Sequence, residues 1–177
     1  NANRIAAGLI ELGLQPGERF AIMMRNHPEF IETMIAASIT GTVFVPIDPR
    51  TRGDKLVYML AAAGCRGLVT SDDCLGEIER VRGRLPELKW VLALDTGDEG
   101  VDLSTVAWAR PFGELLEHRA ATVDPRTTDH GAPLQIMFTS GTTGDPKGIV
   151  GSNYRFCAAV MLGHFLGYSS DERPYTG

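Results

Sequence analysis

Between two apolar runs the chain carries "IMFTSGTTGDPKGIV", residues 136–150, in which three Thr, one Ser, three Gly and one Lys leave little side-chain bulk and many donors. Glycines at 141, 144 and 148 allow positive φ and a close approach of backbone to a ligand, and successive N–H groups in such a turn converge into a nest for an anion. Thr139, Ser140, Thr142 and Thr143 add hydroxyl donors without negative charge, while Lys147 supplies a point charge able to follow a phosphate as it leaves. That set of groups suits a polyphosphate. The P-loop pattern G-x-x-x-x-G-K-[ST] does not describe it, because Pro146 precedes Lys147, Gly148 follows, and the next residues read as a strand rather than a helix. The plain alternative is a Gly/Thr hairpin turn that holds nothing.

Other residues with chemical potential are better accounted for by structure. His27, His118, His130 and His164 are scattered, with neither a metal-ligand spacing nor a neighbouring nucleophile. The acid pairs Asp72–Asp73 and Asp98–Glu99 fall at turns or helix starts, where solvation or capping explains them more simply than acid–base chemistry. Met23, Met24 and Met34 sit in apolar elements and read as core. Cys65, Cys74 and Cys157 are an odd, widely spaced set, which fits reduced thiols and a cytoplasmic location better than a disulfide frame.

The elements that must position the loop alternate. Ile5, Leu9, Ile10 and Leu14 mark an amphipathic helix that Pro16–Gly17 ends, and "RFAIMMR" follows as a buried strand. "NHPEFIETMIAASITG" predicts a helix with Asn26 or His27 as cap, Pro28 in its first turn and Gly41 at its exit. "TVFVPID" is a strand, 54–64 a helix with Leu56, Val57, Leu60 and Ala61 inward, "RGLVTSDD" a strand, 73–85 a helix and "KWVLALD" a strand. The pattern weakens between 95 and 133, where only "FGELLEHR" suggests a short helix. Then come the strand "LQIMFTS", the loop, the strand "GIVGS", and a helix over 152–167 with Tyr154, Ala158, Met161, Leu162 and Phe165 on one side. Such alternation predicts an α/β fold: a largely parallel sheet with helices on both faces.

Length and charge narrow the partners. A chain of 177 residues, 44% hydrophobic and 22% charged, is one compact globular unit without repeats. A net charge of −5 argues against a general nucleic-acid or anionic-membrane surface. The stretch from Ile31 to Ile47 is interrupted by Glu32, Thr33, Ser38, Thr40, Thr42 and Pro46, so it predicts no membrane span. The opening "NANRIAAGLIEL" reads as the inside of a helix, so the chain is expected to be a fragment.

"FTSGTTGDPKG" closely resembles the phosphate-binding signature of the AMP-forming adenylate-forming superfamily: acyl-CoA synthetases, luciferases and peptide-synthetase adenylation domains. The run from "LGLQPGERFAIMMRNHPEF" to "AAAGCRGLVT" is similar to the first half of that family's large domain, so the likeness covers most of residues 4–155. It implies that residues 1–177 are the amino-terminal part of the large domain, with the phosphate loop at 139–148 and the carboxy-terminal catalytic domain outside the chain. It also implies a two-step reaction: a carboxylic acid attacks the α-phosphate of ATP with Mg²⁺, pyrophosphate leaves, and the acyl-adenylate passes to CoA. Carried over by position, Thr139, Ser140, Gly141, Thr142, Thr143 and Gly144 contact the phosphates and Lys147 is catalytic at the departing pyrophosphate. Arg50, Arg52 and Lys55 could meet CoA phosphates, but a solvated helix start explains them equally.

Two departures qualify the likeness. Asn153 stands where many members of the family have His, and the adenine-binding stretch, acidic metal ligand, ribose-binding Asp and terminal catalytic Lys would all lie beyond Gly177. The chain alone is therefore expected to be inactive as a ligase and to self-associate through apolar surface that the remainder would cover. An acyl-CoA synthetase is favoured over a peptide-synthetase adenylation domain, which usually reads S-G-S-T-G where this chain has Ser140-Gly141-Thr142-Thr143-Gly144. A non-catalytic interaction module that keeps part of the fold is the alternative from another class.

Overall fold

A computed structural model describes residues 1–97, 100–118, 122–139 and 145–168. Five strands carry the centre: β1 (Arg19–Met23), β2 (Val43–Pro46), β3 (Cys65–Ser71), β4 (Trp90–Leu94) and the two-residue β5 (Arg110–Pro111). They are joined by α1 (Ala2–Glu11) before β1, then by α2 (Pro28–Thr40), α3 (Gly53–Ala63) and α4 (Leu75–Val81) as crossovers. A hairpin of β6 (Pro133–Thr139) and β7 (Lys147–Ser152) leads into α5 (Asn153–Phe165). The seven strands lie in the order β5-β4-β3-β1-β2-β6-β7, all parallel except the last pair. This is the α/β architecture that the alternation predicts.

Burial on both faces explains why the inner strands read as unbroken apolar runs. Along β1 and the residue after it, Phe20, Ile22 and Met24 point into one layer with Ile5 and Leu9 of α1 and Ala36 and Ala37 of α2. Ala21 and Met23 point into the other, with Leu56 and Leu60 of α3 and Leu75 and Ile78 of α4. Fully buried side chains such as Phe20, Ile22, Leu60 and Leu68 each contribute about 1.5–3 kcal/mol by leaving water, which is what holds the sheet between its two helical layers. The crossovers stop where the sequence says they should: Gly41 (φ 68°) and Gly64 (φ 63°) end α2 and α3 in the left-handed conformation that returns the chain to the next strand.

Several local expectations need correction. On α3 the inward residues are Leu56, Met59, Leu60 and Ala63; Val57 is half-buried and Ala61 is exposed. The segment "LVYMLAAA" is apolar nearly all round, so its periodicity does not fix its phase. The helix expected over 73–85 is α4 alone, flanked by 3₁₀ turns at Asp72–Cys74 and Arg82–Arg84. "FGELLEHR" supplies only the 3₁₀ turn Phe112–Leu116, and β5 was hidden by its brevity and its proline. On α5 the apolar side that carries Tyr154, Met161, Leu162 and Phe165 is exposed, while Phe156 turns inward to meet Phe44 edge-on at 6.2 Å.

Asp72 shows how one buried carboxylate serves the frame. It accepts hydrogen bonds from the Thr96 backbone N–H and from Thr96 Oγ1 (2.8 Å), tying the end of β3 to the segment after β4. Asp73 takes the ion pair with Arg25 at 3.5 Å. Asp98 and Glu99 lie outside the described residues.

Two glycines predict opposite outcomes for the same substitution. Gly67 in β3 pairs with Phe20 and lies under the Trp90 indole, where an added Cβ would come within 2.0 Å of the ring. Gly76 in α4 has nothing within 4 Å. Gly67→Ala should cost about 1–3 kcal/mol by overpacking, and Gly76→Ala should add about 0.4–1 kcal/mol by restricting the unfolded chain. Urea denaturation of the two variants against the parent chain checks both signs.

Candidate functional site

Parallel strands deliver their carboxyl ends to one edge of a sheet, and ligands of open α/β folds bind where crossovers leave that edge to opposite faces. Here β1 feeds α2 into one layer while its neighbour β2 feeds α3 into the other. The segments after the two strands, 24–27 and 47–52, therefore diverge and leave an open concavity of about 840 Å³. Met24, Phe30, Ile47 and Met137 form its apolar walls, with Arg25, Asn26, Asp48 and Arg50 at the polar rim.

The third contributor to that edge is β6, which runs parallel to β2 through the pair Phe44 and Gln135. Ile136 and Phe138 pack toward the α3/α4 layer. Alternation then puts Thr139 on the same face of the strand as Met137, which lines the concavity. Thr139 is the last residue of β6 and Lys147 the first of β7, paired in register across the mouth of the loop. Thr139 Oγ1 leans toward the Lys147 carbonyl oxygen at 3.5 Å, and both side chains are exposed. Ser140, Gly141, Thr142, Thr143 and Gly144 lie outside the described residues. The structure thus brings the two ends of the candidate loop together at the carboxyl edge, beside the concavity.

Gly148 has a different use from the one its sequence suggests. It lies in β7 without positive φ, and a Cβ there would stand 2.9 Å from Ile136 Cγ2. Its missing side chain lets β7 lie close over Ile136.

The rim is charged but internally matched. Arg50 grips Asp48 with Nε at 3.0 Å and Nη2 at 2.7 Å, and its backbone N–H adds a third bond at 2.8 Å. Those hydrogen bonds, the side-chain ones foremost, pull the Asp48 carboxyl down to about 2. Arg52 turns back to the carbonyls of Pro49 and Thr51 and toward Glu77. Glu77, only 8% exposed, accepts the Gly53 N–H at 2.7 Å, and that bond holds its carboxyl below the usual range. The first turn of α3 is thereby pinned to α4. Arg25 and Asn26 are rim residues that the motif search passed over; their place directly after a buried parallel strand is the signal that could have found them.

The remaining sequence candidates stand elsewhere. His118 Nδ1 meets Glu11 Oε1 at 3.3 Å on the far side of α1, and His27 sits at the start of α2. All three cysteines are free; burial pushes the Cys65 thiol up to about 12 and raises that of Cys74. Among the described residues no three His, Cys, Asp or Glu side chains converge as a metal site would require, and no helix is long and apolar enough to cross a membrane.

A mostly parallel sheet of this order, with helices on both faces, defines an α/β protein, and comparison with known proteins gives the family. The model of the AMP-binding enzyme family matches residues 1–173, and the chain belongs to that family. It is 31% identical over 176 residues, 99% of its length, to 32% of the 3-methylmercaptopropionyl-CoA ligase of Ruegeria lacuscaerulensis. It is 32% identical over 149 residues, 84% of its length, to 6% of the dimodular nonribosomal peptide synthase of Bacillus subtilis. Among solved structures, the anthranilate CoA ligase AuaEII in complex with anthranoyl-AMP superposes with a TM-score of 0.82 at 23% identity, over 91% of this chain and 30% of that one. The chain thus spans about a third or less of the length of these relatives.

The Asp48–Arg50 grip sets a pH expectation. A carboxyl held below its unfolded value contributes stability at neutral pH and loses it as pH falls through about 2. Because the side chains are 48% and 89% exposed, water screens most of that share. An NMR titration should place the Asp48 midpoint near 2, and Arg50→Ala should raise it only part of the way to the ordinary carboxylate range, because the backbone N–H of residue 50 still donates to the carboxylate. An unmoved midpoint in the variant would remove Arg50 as the cause.

Proposed function

We propose that this chain is the phosphate-holding part of the large domain of an ATP-dependent acyl-CoA synthetase, with residues 139–148 as the phosphate loop. The observation that carries the reading is the register of Thr139 with Lys147 across the loop mouth, at the carboxyl edge of the parallel sheet and beside an open concavity. In the first step a carboxylate oxygen bonds to the α-phosphorus of ATP, and the bond from that phosphorus to the bridging oxygen of the β-phosphate breaks. Pyrophosphate leaves with the electron pair. In the second step a CoA thiolate attacks the acyl carbonyl, and AMP departs as the carbonyl re-forms.

Such phosphoryl chemistry depends on placing charge-neutralising donors where negative charge grows. Hydroxyls of Thr139, Ser140, Thr142 and Thr143, with backbone N–H groups at Gly141 and Gly144, hold the phosphates in this reading. Lys147 follows the pyrophosphate. Mg²⁺ would accompany ATP and offset its charge, held chiefly by the phosphates; the donor set of the loop would act beside it.

The membership of both CoA ligases and peptide synthases in the family keeps a second reading, an adenylation domain that loads a carrier-bound thiol, and the 32% likeness to the Bacillus subtilis synthase favours it over a module without chemistry. Either activity belongs to the complete protein, and the chain by itself is not expected to catalyse it. Three free thiols, of which Cys65 and Cys74 are buried and Cys157 is exposed, accord with a cytoplasmic setting.

Carboxylate-dependent ATP–pyrophosphate exchange by the complete protein, run with a panel of fatty, aromatic and amino acids and followed by addition of CoA, separates the readings. Exchange with a fatty or aromatic acid and release of its thioester supports the synthetase; exchange restricted to amino acids supports the adenylation domain; no exchange with any acid supports the module. In the same assay Lys147→Ala should slow exchange by roughly 10²–10³, with the melting temperature unchanged because the side chain is exposed. A wild-type rate in that variant would take Lys147 out of the mechanism.

A further inference from the structure

The loop reaches the rest of the fold through a hairpin whose ladder contact is thin. β1 shares four registered pairs with β2 and five with β3, whereas β6 shares one with β2, at Phe44 and Gln135. The loop end of the hairpin, Thr139 and Lys147, is far from that pair; its base, where Pro133 meets Ser152, is near it. Core packing of Leu134 on one face and of Ile136 and Phe138 on the other holds β6 in the sheet, and contacts at the base are placed to set the tilt of the hairpin.

Two contacts made by the start of α5 are placed to do so. Ser38 Oγ donates to Asn153 Oδ1 at 2.9 Å, a part-buried bond between residues 115 apart in the chain. Phe156 lies against Phe44, the β2 member of the single pair. Ser38 is a firm anchor: it belongs to α2, whose last turn is tied by Thr40 Oγ1 to the Ala36 carbonyl at 2.9 Å and to Thr42 Oγ1 at 2.8 Å. The Asn153 backbone is also held, by the Ala132 carbonyl at 3.4 Å, with the Tyr154 N–H on the His130 carbonyl at 2.9 Å. From Ser152 to Lys147 the strand is a lever of about 17 Å, so a tilt of about 5° at the base moves the lysine end by about 1.5 Å. Displacements of that size cost an enzyme on the order of 10² in rate.

We propose that Asn153 is a positioning residue: its hydrogen bond from Ser38 fixes the tilt of the β6–β7 hairpin and so the place of Lys147. The proposal rests on the function proposed above for its catalytic consequence, but its structural half stands separately.

The test compares Ser38→Ala, Asn153→Leu, their double variant and Asn153→Asp in the complete protein. Leucine keeps the size without the acceptor; aspartate keeps the acceptor. Expected are a 10- to 100-fold fall in the maximal exchange rate for Ser38→Ala and Asn153→Leu, carboxylic-acid KM within about twofold, and a double variant no worse than the poorer single one. Asn153→Asp should regain most of the rate. Amide hydrogen exchange should rise across β6 and β7 in the two impaired variants while β1 and β3 keep their protection. A wild-type rate in Asn153→Leu, additive losses, or failure of aspartate to rescue overturns the positioning role. If the parent shows no exchange with any acid, the proposed function falls, and unchanged hairpin protection in Asn153→Leu would then overturn the tilt as well.

Discussion

The parallel pairing of β1 with both β2 and β3 is the constraint on which the rest depends. Parallel strands align their carboxyl ends, and the crossover helices must then pack on the faces. α1 and α2 take one face and α3 and α4 the other. Once that is fixed, the segments after β1 and β2 are forced apart, and the concavity between them follows from topology rather than from any residue lining it. Its apolar walls are the ends of core residues: Met24 and Ile47 are almost fully buried yet reach its floor.

The one antiparallel pair changes what the edge can do. If β6 were followed by a crossover, the loop would be drawn down onto a face of the sheet. The chain instead doubles back, so Thr139 and Lys147 meet in register at the rim. Pro146 forbids helical continuation at that point, and Gly148 allows β7 to lie close over Ile136.

Most of the architecture was legible because its signals are local. Pro28 and Gly41 frame α2, Gly64 closes α3, and the runs at 19–25 and 65–71 are too apolar to be exposed strands. What stayed hidden depends on distance or on a near-uniform surface. The phase of α3 could not be read from "LVYMLAAA", and the two-residue β5 is defined by pairing with Leu92 and Ala93 rather than by its own sequence. The candidate loop was found by residue type, but Arg25 and Asn26 became visible only when the strand order placed them at the same edge. Ser38 and Asn153 carry no pattern at all, since nothing in either neighbourhood announces a bond across 115 residues.

The polar groups around the edge divide by burial into a fixed frame and an adjustable rim. Glu77 and Asp72 are nearly enclosed, and each accepts backbone N–H groups from a separate segment, so removing either would strand donors away from water. They hold the start of α3 and the exit of β4 in place. Arg25 and Arg50, by contrast, are 74% and 89% exposed in their pairs with Asp73 and Asp48. Pairs that exposed are largely screened by water, so either arginine can exchange its partner at small cost while the backbone beneath it stays put. A chain with a net charge of −5 can therefore keep cations at one edge without a basic surface: each is screened by its own aspartate, and only the frame behind them is rigid.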